Sequence, residues 1–120
     1  MKVRAPNGGA KLAVRSGIMQ IVVTSQVAAL EDQTRAYAEY KVFSSLASRA
    51  REIDRVEVVL AEQSSRQNGS ETECAVTVHL AGGGSVHAKA RASRAYAAID
   101  RAALRIEAAM NRLAARRLSS

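Results

Sequence analysis

The chain has 120 residues, of which 48% are hydrophobic, and a net charge of +7. This length and apolar content suit one domain with a small core, and they exclude a chain that is disordered overall. Because the chain has no tryptophan, three tyrosines and one phenylalanine, its core must be aliphatic. So few rings also disfavour recognition of nucleic acid by stacking bases on aromatic side chains.

Residues 1–18 have the composition of a flexible leader. They contain Pro6, the run Asn7-Gly8-Gly9 and Gly17, and all four of their charges are basic. They contain no sustained apolar block of the signal-peptide type. We expect a flexible basic N-terminal extension, whose charge is suited to contact with RNA, followed by a single domain over residues 19–118.

A strand and a helix are predicted at the start of this domain. Met19–Thr24 is rich in β-forming residues and predicts a strand. Glu31 and Asp32 then place negative charge where the dipole of a following helix favours it. The segment Arg49–Arg55 is expected to be a charged connector. At helical spacing, one face of this predicted helix consists of Leu30, Thr34, Tyr37, Ala38, Val42, Ser45 and Leu46.

Three segments with alternating apolar residues predict the remaining strands. The polar stretch Gln63–Ser70, with its Asn68-Gly69 turn signal, joins the first two of them as a hairpin. The run Gly82–Ser85 predicts a second tight connection. The three predicted strands are Val56–Ala61, Cys74–Leu80 and Val86–Arg91.

The last segment predicts a long helix, with Ser93 as its N-cap and its cations in one stripe. At roughly 100° per residue, the stripe consists of Arg94, Arg101, Arg105, Arg112 and Arg116. The opposite, apolar side consists of Ile99, Ala103, Ile106, Met110 and Leu113, with Tyr96 at its edge.

The charge imbalance of the chain is concentrated in this region. Residues 89–117 hold eight of the 18 cations but only two of the 11 acids, Asp100 and Glu107. So few carboxylates cannot neutralise the cations by i,i+4 pairing, so we expect cations that are free to bind a polyanion. Nucleic acid or an anionic membrane would fit, and an ordinary solvated basic face is the alternative.

The element order β-α-β-β-β-α predicts an α+β domain with two helices packed on one face of a four-stranded sheet. Within this order, several segments resemble one bacterial family, the ribosome hibernation-promoting factors or ribosome-associated inhibitors, also known as the sigma-54 modulation protein family. Two segments resemble the signature of this family, Val86-His87-Ala88-Lys89-Ala90 and Tyr96-Ala97-Ala98-Ile99-Asp100. The upstream resemblance consists of Met19-Gln20-Ile21, Arg35-Ala36-Tyr37 with Lys41, and Val56-Glu57-Val58-Val59-Leu60.

This resemblance, over residues 19–113, implies a non-enzymatic protein whose fold is similar to a double-stranded RNA-binding domain. Members of the family bind the small ribosomal subunit and its rRNA in the mRNA and tRNA channel, and they repress translation in resting, stationary-phase or stressed cells. The chain resembles the short form, without the long form's C-terminal dimerisation domain. It departs from the family at Arg94, where an acid is usual, and at Val42–Leu46, where lysines are common.

The candidate RNA-binding residues combine the cationic stripe with neighbouring and matched positions. Lys89 and Arg91 alternate away from the apolar residues of the fourth strand, and Lys41 is a matched family position on the first helix. Arginine suits phosphate because its planar fork donates two parallel hydrogen bonds. The predicted contacts are Lys41, Lys89, Arg91, Arg94, Arg101, Arg105, Arg112, Arg116 and Arg117.

Metal and catalytic sites have less support in the sequence. His79 and His87 are expected nearly opposite each other on paired strands, but a metal site needs a third ligand, and Cys74 points to the other face. Tyr96 and Asp100 are expected to be structural, with the ring packing the helix onto the sheet. No catalytic constellation or phosphate-binding glycine loop is recognisable, so no enzyme, metal, cofactor or small-molecule substrate is predicted.

Two other classes of function are left open by the sequence. The chain could be a general RNA-binding or protein-interaction module that acts outside the ribosome. Binding to a membrane surface is disfavoured, because the apolar face of the long helix lacks Trp and Phe. Since the single cysteine cannot form an internal disulfide and no apolar run approaches transmembrane length, we expect a cytoplasmic protein.

Overall fold

The computed structural model describes residues 19–26, 31–66 and 69–119 of the chain. The predicted leader over residues 1–18, Leu30 on the predicted helix face and Asn68 in the predicted turn lie outside these ranges. The elements are β1 (Gln20–Ser25), α1 (Asp32–Leu46), a 3-10 helix (Ala47–Glu52), β2 (Ile53–Ser65), β3 (Gly69–Leu80), β4 (Ser85–Ala92) and α2 (Ala95–Ser119).

The four strands form one mixed sheet in the order β1-β2-β3-β4. β1 runs parallel to β2, whereas β3 is antiparallel to both of its neighbours. The register places Val58, Val76 and Ala88 side by side, so the apolar positions of neighbouring strands form continuous rows on one face. The strands β1 and β4 are the two edges of the sheet.

The core lies between this apolar face and the two helices, which confirms the predicted architecture. The buried positions of α1 recur every four residues, at Thr34, Ala38, Val42 and Leu46, and so form one stripe along the helix. From α2 the core receives Ala98, Ile99, Ala102, Ala103, Ile106 and Met110, and from the sheet it receives Ile21, Val23, Val56, Val58, Leu60, Cys74, Val76, Val78, Ala90 and Ala92.

The two helices run in the same direction across the sheet. Tyr37 of α1 stacks on Tyr96 near the start of α2, with ring centroids 4.4 Å apart and an interplanar angle of 10°. Further along the chain, Arg49 donates two hydrogen bonds to Asn111 Oδ1, at 3.0 and 3.2 Å. Tyr96 therefore packs α2 against α1, and the prediction that its ring packs the helix onto the sheet is wrong.

The second strand and its hairpin are longer than the sequence predicted. β2 begins at Ile53, before the start predicted at Val56. The register shifts between Ile53 and Arg55, and such an irregularity interrupts the alternation that marks a strand in the sequence. The predicted connector is mainly a 3-10 helix with no buried residue. The ladder continues to the pair Ser65 and Gly69, so most of the polar stretch assigned to a turn is strand.

The long helix begins slightly later than predicted. Its first helical hydrogen bond runs from the Ala98 N–H to the Arg94 carbonyl, at 3.1 Å. Arg94 therefore occupies the N-cap position predicted for Ser93. Neither α1 nor α2, as far as the structure describes them, combines the length and apolar character needed to cross a membrane.

Candidate nucleic-acid interface

Two arginines of α2 bind the exposed edge of the sheet. β4 is an edge strand, so among the described residues the backbone groups on its outer side have no neighbouring strand. Arg101 Nη1 donates to the Arg91 carbonyl at 2.9 Å, and Arg105 Nη1 donates to the Lys89 carbonyl at 2.7 Å. Two residues one helical turn apart thus match two strand residues on the same side of β4, and α2 runs antiparallel to the strand.

These hydrogen bonds orient the guanidinium groups without neutralising them. A guanidinium has five N–H donors, and each of these bonds uses one donor on an uncharged carbonyl. Arg101 and Arg105 are both exposed, so the remaining donors and the positive charge are available to a phosphate. The sequence predicted unattached cations. The structure corrects this, because the sheet edge holds both side chains in place.

Lys89 and Arg91 extend the basic surface onto the sheet face that the helices leave open. Both residues are exposed, and both lie beside Glu73 of β3, with nitrogen–oxygen distances of 3.7 and 3.9 Å. One carboxylate therefore serves two cations, and the group keeps a net positive charge. Only the cations of these pairs are exposed, since Glu73 is half-buried, and each cation keeps a solvent-facing side that a phosphate can reach.

The C-terminal part of α2 places three more of the predicted residues around a cavity. Arg112, Arg116 and Arg117 line a cavity of about 460 Å³, together with Gly83 and Gly84 of the β3–β4 turn. This arrangement follows from the antiparallel course of α2 along β4, which brings the end of the helix back to the beginning of the strand. Three cations are thereby gathered at one end of the sheet edge.

Arg94 and Lys41 occupy different positions relative to this surface. Arg94 is exposed at the N-cap of α2, where it begins the arginine stripe. Lys41 lies on α1, with its Nζ 3.7 Å from Asp100 Oδ1, at the seam between the two helices. The structure therefore places eight of the nine predicted residues on β4, on α2 or at the N-cap of α2, whereas Lys41 lies on α1. We call the eight the basic edge: Lys89, Arg91, Arg94, Arg101, Arg105, Arg112, Arg116 and Arg117.

A tyrosine–aspartate contact fixes the seam beside the basic edge. The Tyr37 hydroxyl donates to Asp100 Oδ1 at 2.6 Å. This hydrogen bond, followed by burial and by the negative charge of Asp100, raises the pKa of Tyr37 to about 12. Because Asp100 also lies beside Lys41 of α1, we interpret it as a structural residue that sets how α1 and α2 pack.

The histidines and the cysteine do not share one site. His87 lies opposite Thr77, with Nδ1 and Oγ1 2.9 Å apart, and His79 lies opposite Ser85. The two histidines are therefore diagonal neighbours on one face, two residues out of direct pairing. His79 Nε2 contacts Glu57 Oε1 at 3.1 Å. Within residues 19–26, 31–66 and 69–119, no three potential metal-binding side chains cluster. Burial raises the pKa of the Cys74 thiol to about 12 and makes it a weak nucleophile.

Sequence reasoning missed two sets of contacts, one beside the basic edge and one between α2 and the segment that follows α1. The pairing of Glu73 with Lys89 and Arg91 could have been found, because the alternation of β3 and β4 places all three on one face. The hydrogen bonds of Arg49 to Asn111 could not, since they join segments whose relative position depends on the packing of α1 against α2.

Comparison with known proteins relates the whole domain to one family. The family model described as sigma 54 modulation protein / S30EA ribosomal protein matches residues 21–118. No curated protein matches the sequence.

Two solved structures resemble the fold. A ribosomal subunit interface protein from Coxiella burnetii is 17% identical with a TM-score of 0.66, and the match covers 82% of this chain and 99% of that one. The N-terminal domain of Protein Y from Thermus thermophilus is 26% identical with a TM-score of 0.57, and the match covers 76% of this chain and 93% of that one. At these identities, the two likenesses support the β-α-β-β-β-α fold.

Proposed function

The chain belongs to the sigma 54 modulation protein / S30EA ribosomal protein family, and we propose that it binds the ribosome and represses translation. In this proposal, the protein occupies the mRNA and tRNA channel of the small subunit in resting or stressed cells. The resemblance of its sequence to the hibernation-promoting factors supports this role, as does the similarity of its fold to a ribosomal subunit interface protein. Such a protein acts in the cytoplasm, where ribosomes translate.

The basic edge carries the proposal. Five of its arginines lie in one stripe along α2, and Lys89 and Arg91 lie on the adjoining edge strand. A phosphate backbone can follow such an arrangement. The carbonyls of Lys89 and Arg91 hold two of the guanidinium groups in position before RNA arrives. Holding a long side chain in this way reduces the rotamer entropy that binding would otherwise cost.

The proposed role is stoichiometric binding without a chemical step. A repressor that works by occupancy requires about one protein per ribosome, and its effect should follow the fraction of ribosomes that it occupies. Cysteine is the strongest nucleophile among the residue types, but Cys74 is buried and the pKa of its thiol is raised. This agrees with a binding role rather than with covalent catalysis.

Sedimentation with separated ribosomal particles tests this function. The protein is mixed with purified small subunits, large subunits or a protein-free RNA duplex, and the amount that pellets with each is measured. We expect saturation at about one protein per small subunit, with translation in an extract falling as the small subunits fill.

Two results would contradict the proposed function. Absence of pelleting with small subunits would remove the ribosome as the partner. Equal affinity for small subunits and for the protein-free duplex would instead favour a general RNA-binding module that acts outside the ribosome, because phosphate contacts alone carry no site selectivity.

A further inference from the structure

The cavity at the end of the basic edge combines two kinds of surface. Its rim carries Arg112, Arg116 and Arg117, and none of the described residues that line it is acidic. Its lining also includes the apolar side chains of Leu80, Val86 and Leu113, which we call the apolar floor. Each floor residue is only half-buried, so the cavity exposes apolar surface directly beside three cations.

The cavity lies beside the C-terminal part of α2, where the helix is no longer fully buried. Met110 is the last buried residue of the helix, and none of residues 111–118 is buried. These eight residues span about 12 Å of helix at 1.5 Å per residue. The residues of this segment that line the cavity lie near the β3–β4 turn and near Leu80 and Val86 at the adjoining ends of β3 and β4.

The turn keeps the opposite wall of the cavity open. Gly83 and Gly84 have φ angles of 105° and 88°, a region that residues with a side chain rarely adopt. The space into which a Cβ would project is empty at both positions. A turn without side chains therefore gives a ligand access to the arginines and to the apolar floor.

We propose that this cavity binds a single nucleotide, with its phosphate between Arg112 and Arg116 and its base on the apolar floor. Arginine pairs bind phosphate through parallel hydrogen bonds, and a flat apolar base matches a floor of aliphatic side chains. A volume of about 460 Å³ falls within the range typical of small-ligand sites. A plain cation cluster that only balances the dipole at the end of α2 would need no such floor.

The nucleotide can come from two sources, and only one of them depends on the ribosomal role. An unstacked nucleotide of ribosomal RNA would make the cavity a subsite of the basic edge, so in this form the inference rests on the proposed function. A free nucleoside monophosphate has the same chemistry but would bind in the absence of any RNA.

Nuclear magnetic resonance of the full-length, ¹⁵N-labelled protein tests the inference. The amide signals of Gly83, Gly84 and Leu113 are followed while adenosine 5′-monophosphate, adenosine, inorganic phosphate or a short oligoadenylate is added at constant ionic strength. We expect the monophosphate or the oligoadenylate to shift these signals, and adenosine and phosphate to bind at least about tenfold more weakly. Binding of the monophosphate indicates a free-nucleotide site, and binding of the oligoadenylate alone indicates an RNA subsite.

The variant Arg112→Gln with Arg116→Gln should weaken this binding by at least about tenfold, whereas Arg66→Gln, at the tip of the β2–β3 hairpin, should leave it unchanged. The inference is overturned if neither nucleotide ligand shifts the three amides, or if inorganic phosphate binds as tightly as the monophosphate. Because these titrations contain no ribosomes, pelleting of the same protein sample with small subunits reports separately whether the proposed function holds.

Discussion

At Arg101 and Arg105, one N–H of each guanidinium satisfies a carbonyl that the edge strand leaves without a partner. The helical spacing of the arginines could be predicted from the sequence, because it depends only on 3.6 residues per turn. Their acceptors could not be predicted, because the position of α2 against β4 is set by burial of Ile99, Ile106 and Met110. The same side chains therefore serve the fold and the candidate site.

The edge hydrogen bonds should contribute measurably to stability. We expect Arg101→Gln with Arg105→Gln to lower the free energy of unfolding by about 1–3 kcal/mol, because each change removes one bond worth about 0.5–1.5 kcal/mol. Urea denaturation measures this loss. The control Arg112→Gln, on the same stripe but without a carbonyl acceptor, should stay within about 0.5 kcal/mol of the wild type. Equal stability of the double variant and the control would show that the two hydrogen bonds to the carbonyls of β4 do not stabilise the fold.

The Tyr37–Asp100 hydrogen bond predicts a defined loss of stability at alkaline pH. The pKa of Tyr37 is raised from 10.0 to about 12, so the folded state retains the hydroxyl proton more tightly than the unfolded state. The stability from this bond is therefore complete below pH 10 and disappears as the pH rises to about 12. We expect Tyr37→Phe to melt at a lower temperature than the wild type at pH 7, and the gap to close across that window.

Thermal unfolding of both proteins from pH 7 to pH 12 measures the effect. Tyr40→Phe is a matched control, because Tyr40 lies on the same helix with 64% of its surface exposed, and it should behave like the wild type throughout. A gap between Tyr37→Phe and the wild type that stays constant up to pH 12 would show that the hydroxyl makes no pH-dependent contribution.

At the scale of elements, apolar patterning predicted both helices and all four strands, because each alternation or helical stripe corresponds to a buried face. The start of β2 was missed, since the irregularity between Ile53 and Arg55 interrupts the alternation. The outer half of the hairpin was missed for another reason. The backbone ladder continues through the pairs Glu62–Thr72 and Gln63–Glu71, although polar side chains there give no period that distinguishes a strand from a turn.

A substitution on the buried face of α2 should lower the stability of the protein without changing the affinity of the folded protein for the small subunit. Ile106 is completely buried, so Ile106→Ala should cost about 2–5 kcal/mol of stability through lost burial and a cavity. Leu104→Ala is the matched control on the same helix, because 66% of Leu104 is exposed, and it should cost no more than about 0.5 kcal/mol. Denaturation in urea gives both values. The folded fraction of Ile106→Ala should bind small subunits with the wild-type affinity, and weaker binding by that fraction would show that the core packing itself shapes the site.

At the scale of the whole domain, the described residues have their net positive charge concentrated in β4 and α2 rather than spread evenly. The net charge of +7 comes largely from the segment that forms β4 and α2, which holds eight of the 18 cations. The location of this charge in the chain was evident from the sequence. Its convergence with the glycine turn around a cavity was not, because it requires the C-terminal part of α2 to lie next to residues 83–84.

Salt-dependent binding of charge-reversal variants to the small ribosomal subunit tests the central claim most directly. Arg94→Glu with Arg112→Glu reverses two exposed residues of the basic edge that make neither of the carbonyl bonds. Arg51→Glu with Arg66→Glu changes the net charge equally but at exposed residues outside the basic edge. Pelleting with small subunits is measured over a range of salt concentrations, and thermal unfolding verifies that each variant is folded.

We expect the basic-edge variant to bind at least about tenfold more weakly, and the control variant to bind close to the wild type. Each phosphate contact contributes about 0.7–0.9 to the slope of log affinity against log salt, so the basic-edge variant should also show a slope shallower by about one to two. Equal losses for both variants would indicate that net charge alone drives binding, and wild-type binding by the folded basic-edge variant would show that the RNA contacts lie elsewhere on the protein.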